Sequence, residues 1–166
     1  KNGSTRMLHL DEADRGQLGS EPYEVDFVTG CALLVRASVV SQVGGMDPRF
    51  FAYFEETEWC VRVRNAGWKI QVVPTAQVWH KISKQAREAS PQVHYYMTRN
   101  RLLFLKLTRA GWETQARTYL EFLRIYLSWT VRPRWRYKNS QRKAMLSAVL
   151  DHTLGKYGRV ETHIRG

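Results

Sequence analysis

Cysteine is scarce in this chain, long apolar runs are missing, and acidic charge is in short supply. Each absence excludes something. Cys31 and Cys60 are the cysteines of a 166-residue chain. They stand far apart, inside the apolar runs Cys-Ala-Leu-Leu-Val and Trp-Cys-Val, which excludes a disulfide framework and a close-spaced zinc site and predicts two small core residues. No stretch reaches the roughly 18 consecutive apolar residues of a membrane-spanning helix. Residues 1–10 lack the apolar segment of a signal peptide, so the expected setting is cytoplasmic. Repeats and low-complexity tracts are also missing. What remains is 43% apolar and 25% charged, the composition of one globular domain with room for an appendage.

The acid deficit is local. The chain carries 26 Lys and Arg against 15 Asp and Glu, a net charge of +11. Residues 1–98 hold eleven of each sign and are neutral. Residues 99–143 hold twelve Lys and Arg against Glu113 and Glu121, a balance of +10. A block this one-sided fits an anionic partner or, more plainly, a solvated helical face. Trp129, Trp135 and Tyr137 lie among its arginines, a composition suited to the interface of an anionic membrane, on the inner face of the plasma membrane. No reader motif accompanies the charge, which argues against nucleic acid.

Local pattern predicts an α/β chain. Residues 1–24 mix Gly, Asp, Glu and Ser and read as loop or as the edge of a larger domain. Val25 to Arg36 reads as a buried strand around Gly30. Ala37 to Val43 is a short helix stopped by Gly44-Gly45, and Glu55 to Ala66 a helix ended by Asn65-Ala66-Gly67. Lys69 to Val73 and Gln77 to His80 are short strand-like runs separated by Pro74. After a polar loop, Lys81 to Ser90, Pro91 opens a helix that closes near Gly111. Trp112 to Trp129 forms the next helix, Arg132-Pro133-Arg134 breaks it, and Lys138 to Leu154 makes the last.

Chemistry concentrates between Gly44 and Arg62. Glu55, Glu56 and Glu58 follow the aromatic residues Phe50, Phe51, Tyr53 and Phe54 directly. Acids in a first helical turn favour the helix dipole by a few tenths to about 1 kcal/mol, which is reason enough for their presence. The aromatic flank suggests more: acids at the edge of a partly dry pocket, where a carboxylate is raised toward the range of a general base. From spacing alone both readings stand.

The stretch Gly-Gly-Met-Asp-Pro-Arg-Phe-Phe-Ala-Tyr-Phe-Glu-Glu-Thr-Glu-Trp-Cys-Val-Arg resembles the family 2 glycosyltransferase pattern G-G-F-D-x-x-F-F-x-Y-x-E-D-x-D-L-x-x-R of bacterial rhamnosyltransferase-like enzymes. Asp26 to Arg36 upstream, and Ala66-Gly67-Trp68, Val73-Pro74, Val78-Trp79-His80 and Tyr95 to Arg101 downstream, follow in the family's order. The resemblance implies the C-terminal, acceptor-side part of a GT-A domain over residues 25–108, with a basic helical appendage over 109–166. It implies inverting transfer from a nucleotide-sugar donor to a sugar or lipid-linked acceptor in cell-surface polysaccharide synthesis, with Mn²⁺ or Mg²⁺ in the complete enzyme.

By the same resemblance Glu56, with Glu55 beside it, is the catalytic base. Thr29, Gly30 and Arg99 face the donor's diphosphate, and His80 the metal. Tyr53, Phe54, Glu58 and Trp59 line the acceptor site. Read without the family, His80 is a boundary histidine, Arg99 a surface helix charge, and Trp59, Tyr53 and Phe54 aromatic core. The family has Asp where this chain has Glu56 and Glu58, a difference of one methylene. The sequence contains no Asp-x-Asp pair; its nearest acidic cluster, Asp11-Glu12-Ala13-Asp14, lies in a polar stretch. A donor-binding half is therefore expected to be missing, with little activity from the chain alone and exposed apolar surface that supports a homodimer. The rival expectation is a non-catalytic membrane-surface or interaction module that retains the fold.

Overall fold

The computed structural model describes residues 5–81 and 90–160. In chain order its elements are β1 (Tyr23–Glu24), α1 (Ala37–Val43), α2 (Glu55–Asn65), β2 (Gln71–Val72), α3 (Pro91–Leu107), α4 (Trp112–Val131), a 3₁₀-helix (Pro133–Lys138) and α5 (Asn139–Thr153). The chain divides into two units, one formed by residues 47–55 with 90–160 and the other by residues 5–46 with 56–81. Part of the loop Lys81 to Ser90 and the first four residues of the segment 1–24 lie outside the described residues.

In the second of these units, α1 and α2 pack Val39, Trp59, Cys60, Val63 and Ile70 into one core, with Val25, Phe27, Val28, Leu33, Val35 and Trp68 against it. β1 and β2 run antiparallel, Tyr23 opposite Val72 and Glu24 opposite Gln71, and the Val25 N–H adds one further bond to the Ile70 carbonyl (3.0 Å). Val25 to Arg36 is otherwise irregular, not the expected strand, and Gln77 to His80 likewise forms none. The apolar pattern is right about burial only in part: Val25, Phe27, Val28, Leu33 and Val35 pack half-buried against the core, while Leu34 is fully exposed. A strand additionally needs a ladder partner, and among the described residues no segment offers one beyond that single pair.

The cysteines part company: Cys60 is buried and Cys31 is exposed, with the Thr29 hydroxyl 3.0 Å from its sulfur. Cys31 therefore departs from the expectation of a core residue. It sits in a turn, where an apolar neighbourhood in sequence does not imply one in space. Burial pushes the Cys60 thiol up, the Val28 backbone partly offsets this, and the nearby Glu56 carboxylate adds to the rise.

The other unit is helical. Ser90 caps α3, its hydroxyl accepting from the Val93 N–H (3.3 Å), with Pro91 in the first turn, the arrangement that satisfies a helix's open N-terminal donors. α3 lies along α5, burying Tyr95 and Tyr96 against Ala144 and Ala148. α4 buries only Thr118 and leaves most of its apolar residues facing out.

Candidate active site

Helix α2 begins at Glu55, directly after the aromatic run, and the run divides. Phe50 and Phe54 turn inward, onto Leu103, Phe104, Leu107 and Tyr157. Phe51 and Tyr53 turn outward and are 47% and 41% exposed. An ordinary turn cannot reverse direction that tightly. Phe51, Tyr53 and Phe54 all take positive φ, at 63°, 67° and 72°, a left-handed conformation that costs a bulky side chain of order 1 kcal/mol or more per residue. Such a backbone persists only where its surroundings hold it.

The holding groups come from α3. The Asn100 amide nitrogen donates to the carbonyls of Phe50 (2.8 Å), Ala52 (2.6 Å) and Tyr53 (2.8 Å). The Arg99 guanidinium donates to the carbonyls of Arg49 (3.2 Å), Phe50 (3.1 Å) and Gly158 (2.9 Å), and to the Asn100 side-chain oxygen (3.0 Å). Both side chains are fully buried. Arg99 lies within 5.2 Å, 5.1 Å and 5.9 Å of the ring centres of Tyr95, Tyr96 and Tyr157, so aromatic faces take the place of solvent around its charge. The Tyr95 hydroxyl accepts from Arg99 (3.4 Å) and donates to Asp151 (2.7 Å). Burial together with Asp151 pushes that hydroxyl well above the usual tyrosine range.

Each residue expected at the site has a definite place. Glu55 and Glu56 occupy the first turn of α2, half-buried, and one Glu55 carboxylate oxygen is shielded from solvent without a hydrogen-bond partner. Glu58 is buried, and both its oxygens accept from Arg62 Nε (2.9 and 3.0 Å). Trp59 is core, its indole N–H donating to the Gly44 carbonyl (2.8 Å). Phe54 packs on Phe104 with ring centres 5.7 Å apart, leaving Tyr53 as the solvent-facing aromatic of the set. Thr29 and Gly30 follow Val28, whose backbone meets the Cys60 thiol one helical turn after Glu56. Thr29 is half-buried and Gly30 exposed. His80 is exposed, outside any regular element. Arg99 has its donors committed to protein carbonyls.

A divalent ion needs several converging ligands. Among the described residues no three His, Cys, Asp or Glu side chains come together in that way. The described residues do not fit a metal site.

Asn100 is the residue that sequence reasoning passes over. Its signal is nevertheless in the helix period: Tyr95, Tyr96, Arg99, Asn100 and Leu103 fall at i, i+1, i+4, i+5 and i+8, the core-facing stripe of α3, where a polar pair must find buried partners. Nothing local names those partners, which lie about fifty residues upstream.

Residues 7–100 match the profile of glycosyltransferase-like family 2. An N-acetylglucosaminyl-diphospho-decaprenol L-rhamnosyltransferase of Mycobacterium tuberculosis is 35% identical over 117 residues, covering 68% of this chain and 34% of that protein. A dTDP-rhamnosyl transferase of Shigella flexneri, RfbF, is 28% identical over 114 residues, covering 64% of this chain and 36% of its own length. A low-salt glycan biosynthesis hexosyltransferase of Haloferax volcanii is 33% identical over 81 residues, 48% of this chain and 26% of that protein. The matches thus span about a third of each rhamnosyltransferase's length. No solved structure matches. On the match across residues 7–100, reinforced by these relatives, the chain belongs to glycosyltransferase-like family 2.

Proposed function

We propose that this chain carries the acceptor-side groups of an inverting rhamnosyltransferase built on a GT-A α/β domain, acting on a lipid-linked acceptor. The observation that carries the reading is the pair Glu55-Glu56 in the first turn of α2, directly after a strained aromatic run that Arg99 and Asn100 pin through five carbonyl contacts. Backbone strain held by dedicated buried groups marks places where position matters. Glu56 takes the proton of the acceptor hydroxyl. The hydroxyl oxygen then bonds to the anomeric carbon while the bond from that carbon to the nucleoside diphosphate breaks, the diphosphate leaving with the electron pair and the configuration inverting. Glu55, with its shielded and unbonded oxygen, accepts a second hydrogen bond from the acceptor and fixes its approach. Exposed Tyr53 offers the sugar an aromatic face.

The names of the two rhamnosyltransferases support a dTDP-rhamnose donor and, for the mycobacterial protein, an isoprenoid-diphosphate acceptor. With no Asp-x-Asp pair in the sequence, donor binding is assigned to sequence this chain does not contain. The chain alone is expected to turn over little. In the protein that carries the donor-binding half, Glu56→Gln is expected to lower kcat about 10²- to 10⁴-fold with KM little changed, measured as labelled rhamnose passed to an N-acetylglucosaminyl-diphospho-lipid. Glu55→Gln is expected to raise KM more than it lowers kcat.

One observation favours a second reading, a non-catalytic module: Glu58 is fully engaged by Arg62, and Glu replaces the family's Asp there and at position 56. Unchanged turnover in Glu56→Gln would decide for it.

A further inference from the structure

The apolar face of α4 has no cover, and the pattern of what is exposed is regular. Tyr119, Leu123, Leu127 and Val131 recur every fourth residue along α4, exposed by 39%, 51%, 49% and 75%. Leu146 and Leu150 on α5, and Leu154 just past its end, recur every fourth residue, exposed by 51%, 57% and 57%. Between the two helices runs a groove of about 440 Å³, lined by Tyr119, Phe122, Leu123, Tyr126, Met145, Leu146, Val149, Leu150 and Thr153. Apolar surface this continuous signals a partner.

Charge says which partner. At the end of α4 the groove meets a cluster of cations held on aromatic rings. Arg142 lies 5.7 Å from the Tyr126 ring, which also lines the groove. Lys138 lies 5.0, 5.3 and 5.7 Å from the rings of Trp129, Trp135 and Tyr137, and Arg134 sits 5.0 Å over Trp135. The two carboxylates of residues 99–143 are engaged elsewhere, Glu121 with Arg101 and Glu113 with Arg117. Among the described residues no acid pairs with Lys138 or Arg142. A second copy of the chain, docking by the same face, would bring this cationic cluster against its twin. An acidic hydrophilic partner would leave the leucines wet. Trp and Tyr beside Lys and Arg at the rim of an apolar face is the composition of a surface that rests in a bilayer interface. No described helix is long and apolar enough to cross a membrane.

We infer that the α4, 3₁₀ and α5 face docks on an anionic membrane surface, hydrocarbon lying against the groove and lipid phosphates against Arg134, Lys138 and Arg142. The inference goes beyond the transferase reading and is measured without turnover, so either fails without the other. The test is co-sedimentation of the full chain with phosphatidylcholine vesicles with and without phosphatidylglycerol. Wild type is expected to pellet only with the anionic vesicles. Lys138→Glu with Arg142→Glu is expected to weaken binding about tenfold or more, and Leu123→Ser with Leu150→Ser at least several-fold. Arg15→Glu with Lys69→Glu, an equal change of net charge at exposed positions elsewhere, is expected to leave it within about twofold. Circular dichroism confirms that each variant keeps its helices.

Equal binding to neutral vesicles, an equal loss from the control pair, or full binding by the Leu123 and Leu150 variant would each overturn the proposal. So would a dimer in analytical ultracentrifugation that Leu123→Ser with Leu150→Ser dissolves, which would give the groove to a second copy.

Discussion

Asn100 gives one side-chain amide to three backbone carbonyls of the aromatic run. Asn100→Ala removes the donor and leaves those carbonyls dry, which is expected to lower stability by about 2 to 3 kcal/mol in urea denaturation. Asn100→Asp keeps the volume but turns a carboxylate toward carbonyl oxygens, and is expected to cost more than Ala. An Ala variant within about 0.5 kcal/mol of wild type would show that packing, not hydrogen bonding, holds the run. Arg99 braces the start of the same run. Its family position suggests a phosphate contact, yet its guanidinium is spent on the carbonyls of Arg49, Phe50 and Gly158.

Helix α1 is seven residues long, too short to persist by itself, and its last carbonyls have no partners within the helix. α2 supplies them. Arg62 donates to the carbonyls of Val43 (2.6 Å) and Gly45 (2.8 Å) while accepted by Glu58, and Trp59 donates to that of Gly44 between them (2.8 Å). Gly44 sits at φ 78°, a turn that presents its carbonyl at low cost only because it lacks a Cβ. Arg62→Ala would release two of these carbonyls and leave Glu58 buried without its cation, an expected loss of about 2 to 4 kcal/mol. Arg62→Lys keeps the charge but not the fork, and is expected to recover less than half of that by thermal denaturation. A Lys variant as stable as wild type would mean that Glu58 needs only a charge nearby.

For the whole molecule, burial of titratable groups sets a pH window. His94 and His152 are held below their ordinary 6.5, chiefly by burial, with Lys138 acting on the first and Lys106 and Arg99 on the second. The unfolded chain therefore binds protons that the folded chain resists, and stability is lost as pH falls below about 6.5. Tyr95, Tyr119 and Tyr157 are held above their ordinary 10.0, and Cys60 above 9.0, each chiefly by burial. Here the unfolded chain releases protons first, and stability is lost as pH rises above about 9 to 10. The Tm is expected to be highest between about pH 7 and 9 and to fall on both sides. A Tm still climbing at pH 10 would mean that these phenols are open to water in the folded state.

The sequence by itself determined the helices, the acid cluster and the family. A helix is made of bonds between residues four apart, so Gly44-Gly45, Pro91, Gly111 and Arg132-Pro133 mark its limits without reference to the rest of the chain. The ordered motifs from Asp26 to Arg101 are likewise a property of the string. Tertiary structure alone decided which apolar stretch becomes a strand, because a ladder requires a partner that local pattern does not name; Val25 to Arg36 packs five half-buried side chains against the core and stays irregular for that reason. It decided between the cysteines, alike in sequence context and opposite in exposure. It split the aromatic run into two faces, since the left-handed backbone at Phe51, Tyr53 and Phe54 exists only where Asn100 can reach their neighbours' carbonyls. The surface charge expected at Arg99 is overturned for the same reason: only the arrival of residues 49–53 and Gly158 against α3 buries that cation and the Asn100 amide and settles what they hold.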